Sequence, residues 1–319
     1  MEQEKKETFY QNNATIAVLA VVCTFLWGTT YPVVKIAYEL INLPNNDVGG
    51  KLVFAGLQFF IAGIVGFLFI SLKNKKITLP SRGLLPEIIK FGLVQTCIQH
   101  IFFYIGLAYT TGVKGSVLYS MGTFIAIVLS HFYYANDKMN MSKAVGCALG
   151  VFGVLVISLG GERGSGFTLL GDGFMLIATA FFAIGSLIGK NVAEKADPVL
   201  VTSCQLATGG AMLIVIGSIG FGGQASMITG KGMGVILYLS FMSISATTIW
   251  NTLLKYNKIG KVAIYYFLLP IFGAILSGIF LHEEILNFKN IMALILVCLG
   301  IYIVNAPKKE ITYEEQIDS

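Results

Sequence analysis

Residues 247–284 read TTIWNTLLKYNKIGKVAIYYFLLPIFGAILSGIFLHEE, two apolar helical runs joined by a short basic turn. The second run carries Tyr265, Tyr266 and Pro270 near its start, then Gly273, Ser277 and Gly278, and ends on Glu283 and Glu284. The first half of the chain holds a fainter copy. Leu107, Tyr109, Lys114, Tyr119, Leu129, Ser130 and Gly153 recur 147 residues later as Leu254, Tyr256, Lys261, Tyr266, Leu276, Ser277 and Gly300. Gln58 recurs as Gln205 at the same shift, and Asp137 answers Glu284. An ungapped register that lays helix over helix and turn over turn is the mark of an internal repeat.

The 319 residues are 55% hydrophobic and only 12% charged. An ordinary soluble chain carries about a quarter charged residues. Here the charges clump between long apolar runs, each able to cross a hydrocarbon core of about 30 Å as a helix of about 20 residues. The runs fall at 16–40, 52–72, 88–109, 115–134, 144–159, 171–189, 199–221, 232–255, 262–281 and 291–304, which predicts an all-α integral membrane protein of ten transmembrane helices. The first run is too long for a signal-peptide core and stays as helix one. The breaks between runs are rich in Gly, Pro, Asn and charge, as in NLPNNDVGG and KNKKITLPSRG. Five cysteines (Cys23, Cys97, Cys147, Cys204 and Cys298) all sit inside apolar runs, with no CxxC spacing. They read as small core residues, not as metal ligands or disulfides. No cofactor and no metal is implied. The net charge of +5 is scattered over loops, so it is a topology signal and no nucleic acid partner is expected.

Ten spans put both termini on one side. The tails and alternate loops of that side hold 16 lysines and arginines, the opposite loops hold 5, and Lys35 lies within a helix. The positive-inside rule places both termini in the cytoplasm and the chain in the cell membrane. The repeat divides it into residues 1–166, a tail and five helices, and residues 167–319, five helices and a tail. Five is odd, so the second half enters the membrane from the opposite side. Such inverted repeats build many carriers that hold a substrate near the midplane.

No enzyme signature is present: there is no HExxH and no GxSxG, and neither the GVKGS turn (112–116) nor the loop GGERGSG (160–166) completes a phosphate cradle. No catalytic residue is therefore expected. Trp27, Tyr31 and Lys35 lie four apart and share one helical face. Lys35 either snorkels to the interface or faces a cavity and attracts an anionic group. In helix three, Gln95, Gln99 and Phe103 stack at spacings of four beside His100. His100 either bonds a neighbouring helix or contacts substrate. Helix eight carries a stripe of Ser240, Ser243, Thr247, Asn251 and Lys255 with Trp250 alongside, and helix four carries Ser116, Tyr119, Ser120, Thr123 and Ser130. With Tyr265 and Tyr266 these stripes suggest the walls of an amphipathic cavity. Tyr104 and Asn251 are repeat partners expected on opposite walls. Gly146, Gly150 and Gly153 read as a helix contact.

The runs FLWGTTYPVVK, FYIGLAYTTGVKGSV and IWNTLLKY…LLPIFGAILSGIFLHEE…GIYIV resemble the drug/metabolite transporter superfamily, in its ten-helix EamA-type branch, over essentially the whole chain. The resemblance implies a cavity lined mainly by helices one, three, four, six, eight and nine, with five and ten at the periphery. Helix four has Met121, Gly122 and Thr123 where the family usually has a proline, which implies a straighter helix. The candidate substrate-binding residues are Trp27, Tyr31, Lys35, Gln99, His100, Tyr104, Tyr119, Thr247, Trp250, Asn251, Tyr265 and Tyr266. The small multidrug carriers of the superfamily use a mid-membrane glutamate that this chain lacks, so a zwitterionic or anionic metabolite fits better than a cationic drug. The implied function is alternating-access carriage of an amino acid or related organic solute, by default outward, in a monomer or homodimer. A carrier of phosphorylated or nucleotide-linked metabolites is the first alternative. A membrane-embedded enzyme or lipid scramblase is the second.

Overall fold

The structure, a computed structural model, describes residues 2–133, 138–158, 166–224, 230–257 and 259–305. Asp137 and most of the GGERGSG loop lie outside them. Among the described residues, ten helices are long and apolar enough to cross a membrane. They are α1 (Asn13–Leu40), α2 (Val48–Lys73), α3 (Leu85–Ala108), α4 (Gly112–Leu129), α5 (Met141–Ser158), α6 (Leu169–Ala193), α7 (Pro198–Gly220), α8 (Gly230–Tyr256), α9 (Lys261–Leu281) and α10 (Phe288–Asn305). The chain is an all-helical, multi-pass membrane protein. A surface girdle of large apolar side chains, among them Phe69, Phe152, Ile219, Phe241 and Ile279, covers the outside. Only a hydrocarbon solvent makes such exposure favourable.

Local chemistry sets the ends. The residues ahead of α1, read from sequence only as a polar tail, form a helix, Glu2–Gln11, built from strong helix formers such as Glu, Lys and Gln. Asn12 stops it and starts α1 by accepting from the backbone N–H groups of Ala14 and Thr15 at 2.9 and 3.4 Å. Asp47 caps α2 through Gly50 at 2.7 Å, Thr111 caps α4 through Lys114 at 3.1 Å, and Asp197 precedes Pro198 at the start of α7.

Helix α4 is not the straighter helix expected from its missing proline. It breaks at Ser120, whose hydroxyl donates back to the carbonyls of Ser116 and Val117 at 2.9 and 3.0 Å. Such back-bonding competes with the helix ladder and bends it. The matching place in α9 is a 3₁₀ turn, Ile264–Phe267, just ahead of Pro270, which lacks the N–H that would bond Tyr266.

Helix packing repeats itself under a shift of five helices. α2 packs on α7 and α5 on α10; α1 packs on α8 as α6 packs on α3; α8 packs on α2 as α3 packs on α7. Glycines allow the closest of these approaches. A Cβ on Gly63 would lie 2.4 Å from the Ala207 nitrogen, and one on Gly210 would lie 2.4 Å from the Phe60 nitrogen, so α2 and α7 touch backbone to backbone. Gly146 and Gly153 meet α10 in the same way, through the carbonyls of Gly300 and Ala293.

Candidate functional site

Eight helices, all but α5 and α10, supply described residues to a central cavity of about 120 Å³. Helices α2 and α7 join the six expected from the family resemblance, through Gln58, Phe59, Gln205 and Leu206. α3 and α8 contribute most, and in α3 a π-helical turn at Gly92–Ile98 interrupts the regular period. Such a turn changes the face that a helix presents, and here Gln95, Thr96, Gln99 and His100 all reach one cavity.

Ten of the twelve expected residues line this wall: Trp27, Tyr31, Gln99, His100, Tyr104, Tyr119, Thr247, Trp250, Asn251 and Tyr266. Trp27, Trp250 and Tyr266, from three different helices, form a ring cluster with centroids 5.3, 5.6 and 6.2 Å apart. The His100 ring lies 4.2 Å from the Phe59 ring, and its Nδ1 is 3.0 Å from the Thr96 carbonyl oxygen. A carbonyl only accepts, so Nδ1 carries the proton and Nε2 of the neutral ring is an acceptor.

Carboxamides tie the cavity walls together. Gln58 donates to the Ser243 hydroxyl at 2.9 Å and accepts from the Tyr104 hydroxyl. Gln205 donates to Thr96 Oγ1 at 3.1 Å, Gln99 to the Tyr119 hydroxyl at 2.6 Å and Asn251 to Thr202 Oγ1 at 2.9 Å. On α8, Ser243, Thr247, Asn251 and Lys255 line the cavity, whereas of Ser116, Tyr119, Ser120 and Thr123 on α4 Tyr119 alone does so. The Ser120 hydroxyl is spent on carbonyls of its own helix, and the Ser116 hydroxyl on the Val113 carbonyl of its own helix and the Pro270 carbonyl of α9.

The structure does not bring Lys35 or Tyr265 to the cavity. Tyr265 packs against a separate cluster of Ile16, Ala20, Leu253 and Val262. Lys35 shares a helical face with Trp27 and Tyr31, but the cavity ends before it. The α3–α4 link crosses there, and the Lys35 ammonium donates to the Thr110 and Leu107 carbonyls at 2.5 and 3.5 Å. In this state Lys35 is held by backbone carbonyls of the last turn of α3 and of the α3–α4 link.

The cavity is closed on the Lys35 side. Tyr38 donates to the Tyr104 carbonyl at 3.0 Å. The Glu283 carboxylate accepts from the Gly112 and Val113 N–H groups, both at 2.8 Å, so a side chain from the end of α9 occupies the anion-binding N-terminus of α4. Lys114 and the buried Asp172 pair at 2.6 Å. The other end reaches Phe91, Glu194 and Lys255, at the opposite ends of α3, α6 and α8. That is the side of the N-terminal helix, where Asn257 donates to the Tyr10 carbonyl and Tyr10 stacks on Tyr256 at 5.2 Å.

A family model described as the EamA-like transporter family matches residues 14–159 and 169–306. Among curated relatives, the uncharacterized transporter YoaV of Bacillus subtilis (strain 168) is 27% identical over 88% of this chain and 92% of its own. An uncharacterized transporter of Archaeoglobus fulgidus is 26% identical over 90% of this chain and 97% of its own. A probable amino-acid metabolite efflux pump of Escherichia coli (strain K12) is 26% identical over 90% and 93%. A solved crystal structure superposes with a TM-score of 0.67 over 92% of this chain and 97% of that one, at 16% identity. That likeness speaks for the fold alone.

Proposed function

Because the chain belongs to the EamA-like transporter family, and is therefore a membrane transporter of small solutes and not an enzyme, we propose that it carries an amino acid or related organic solute through the central cavity by alternating access. The reading is supported by where the lining lies: it runs to Phe91, Glu194 and Lys255 toward the end that holds the N-terminal helix and stops short of the other, where Glu283, Tyr38 and the Lys114–Asp172 pair bond between helices. Alternating access requires two such states related by exchange of the halves. The reciprocal helix packing supports two inverted five-helix units, residues 1–166 and 167–319. The charge bias supports cytoplasmic termini in the cell membrane, and on that reading the described state faces the cytoplasm. The partners are the bilayer and a small-molecule substrate, in a monomer or homodimer. The likeness to a probable amino-acid metabolite efflux pump supports the substrate class. The anionic argument from Lys35 falls away, since that ammonium bonds backbone carbonyls.

Thiol labelling tests the mechanism. In a variant with the five native cysteines replaced, Thr247→Cys should react with a membrane-impermeant maleimide from the side of the termini. A slower reaction should follow from the other side, protected when the first side is occupied. Labelling from neither side removes the cavity from the transport path. Simultaneous rapid labelling from both describes a pore and not a carrier.

A further inference from the structure

The carboxamide network of the cavity obeys the repeat, with one break. Thr96 and Ser243 are 147 residues apart, as are Gln58 and Gln205. Gln58 of the first half donates to Ser243 of the second, and Gln205 of the second donates to Thr96 of the first. The two bonds are mates. The next link differs. Gln58 Oε1 accepts from Tyr104, but the mate of Tyr104 is Asn251, which donates to Thr202 instead. Gln205 Oε1 is left with no partner, and the residue is only 2% exposed. Gln95 Oε1, also from a lining residue, is the second such buried acceptor. A buried acceptor without a donor is unfavourable, and most are satisfied in folded proteins.

The rest of the wall is mixed: the indole N–H groups of Trp27 and Trp250 are donors, while the amide nitrogens of Gln58, Gln99, Gln205 and Asn251 each spend one of two N–H groups on a protein hydroxyl. His100 Nε2 is an acceptor. Among the described lining residues the one lysine or arginine is Lys255, which donates to the Ala196 carbonyl at 3.0 Å. The aromatic faces of Trp27, Trp250 and Tyr266 present negative π density.

We propose that this cavity selects its solute by an amino group, whose N–H donors are received by Gln205 Oε1, while the Trp27–Trp250–Tyr266 cluster covers the apolar remainder. The proposal deepens the carrier reading above and rests on it for the location of the site. Gln205 is then a specificity-determining residue.

The test uses a gift of composition: the chain has two tryptophans, Trp27 and Trp250, and both line the cavity. Tryptophan emission of the purified full-length protein therefore reports this site directly. Two probes differ only in the amino group: leucine methyl ester and methyl 4-methylpentanoate. The amine should give a saturable change and the amine-free ester a much weaker one. Gln205→Leu should weaken the amine by roughly 5- to 150-fold, the effect of one lost polar contact. Gln205→Glu keeps the shape and an oxygen for the Thr96 hydroxyl, and should bind the amine at least as tightly as the wild type. Its melting temperature checks that it folds. Equal binding of both esters, unmoved by either substitution, overturns the amino-group assignment and leaves the cavity as a binding site. A Gln205→Glu variant that loses the amine also overturns it, because the group received there would then be an acceptor. If neither ester moves the emission, the assignment fails, and transport of other solutes remains a separate question for a flux assay.

Discussion

Gly210→Leu is expected to leave almost no folded protein. A Cβ at this position would sit 2.4 Å from the Phe60 nitrogen, 2.8 Å from the Gly56 carbonyl oxygen and 2.9 Å from the Phe59 carbonyl carbon. All three are backbone atoms of α2, so no side chain can swing aside. Helix α7 would have to move away from α2 along its length, opening the contacts at Gly56, Gly63 and Gly217 together. Overpacking that side chains can absorb costs about 1–3 kcal/mol; a backbone clash should exceed about 3 kcal/mol, a large part of a total stability of about 5–15 kcal/mol. Gly234→Leu is the control, since nothing lies within 4 Å of a Cβ there. Fluorescence-detected gel filtration of detergent extracts should show an aggregated Gly210→Leu and a wild-type-like Gly234→Leu. A monodisperse Gly210→Leu with wild-type melting would refute the backbone contact.

Glu283→Ala should shift the protein toward the state open on the opposite side. The Glu283 carboxylate joins the end of α9 to the first two N–H groups of α4, and these bonds close the end of the cavity away from the termini. Each charge-assisted bond is worth about 1.5–3 kcal/mol. Losing both removes at least about 3 kcal/mol from the closed state, a change of more than about 100-fold in the ratio of states. Labelling of Thr247→Cys from the far side should accelerate accordingly, while the exposed Glu284→Ala should leave it unchanged. Unaltered far-side labelling in Glu283→Ala would show that the seal is held elsewhere.

Much of this was legible in the sequence, for physical reasons. Apolar runs near 20 residues can only be spanning helices in a chain so poor in charge, and the ten came out as read. Gly146, Gly150 and Gly153 announced a close helix contact because only small residues permit one. The stripe on α8 announced a polar wall because hydroxyls and amides are costly in lipid. Lys35 misled because helical periodicity gives a face and not a depth: Trp27 and Tyr31 reach the cavity, while one turn further on the α3–α4 link fills the same face. Ser116 and Ser120 misled because a serine hydroxyl can be satisfied by backbone carbonyls of its own or a neighbouring helix. Neither the break in α4 nor the role of Glu283 was visible, since both depend on which backbone groups a distant residue meets. Gln58 and Gln205 were seen as repeat mates but not as cavity residues. Two glutamines held at equivalent positions in apolar helices were the available signal.

The central claim, carriage of a small solute through this cavity, is tested most directly by counterflow. Proteoliposomes loaded with an unlabelled amino acid mixture and diluted into a trace of the labelled compounds need no coupling ion for the experiment to work. A transient accumulation of label above equilibrium is expected for at least one amino acid, with no ATP present, and its loss in Trp250→Ala liposomes holding the same amount of folded protein. Accumulation that persists undiminished in Trp250→Ala, or label that equilibrates no faster than in protein-free liposomes for every amino acid, would contradict it.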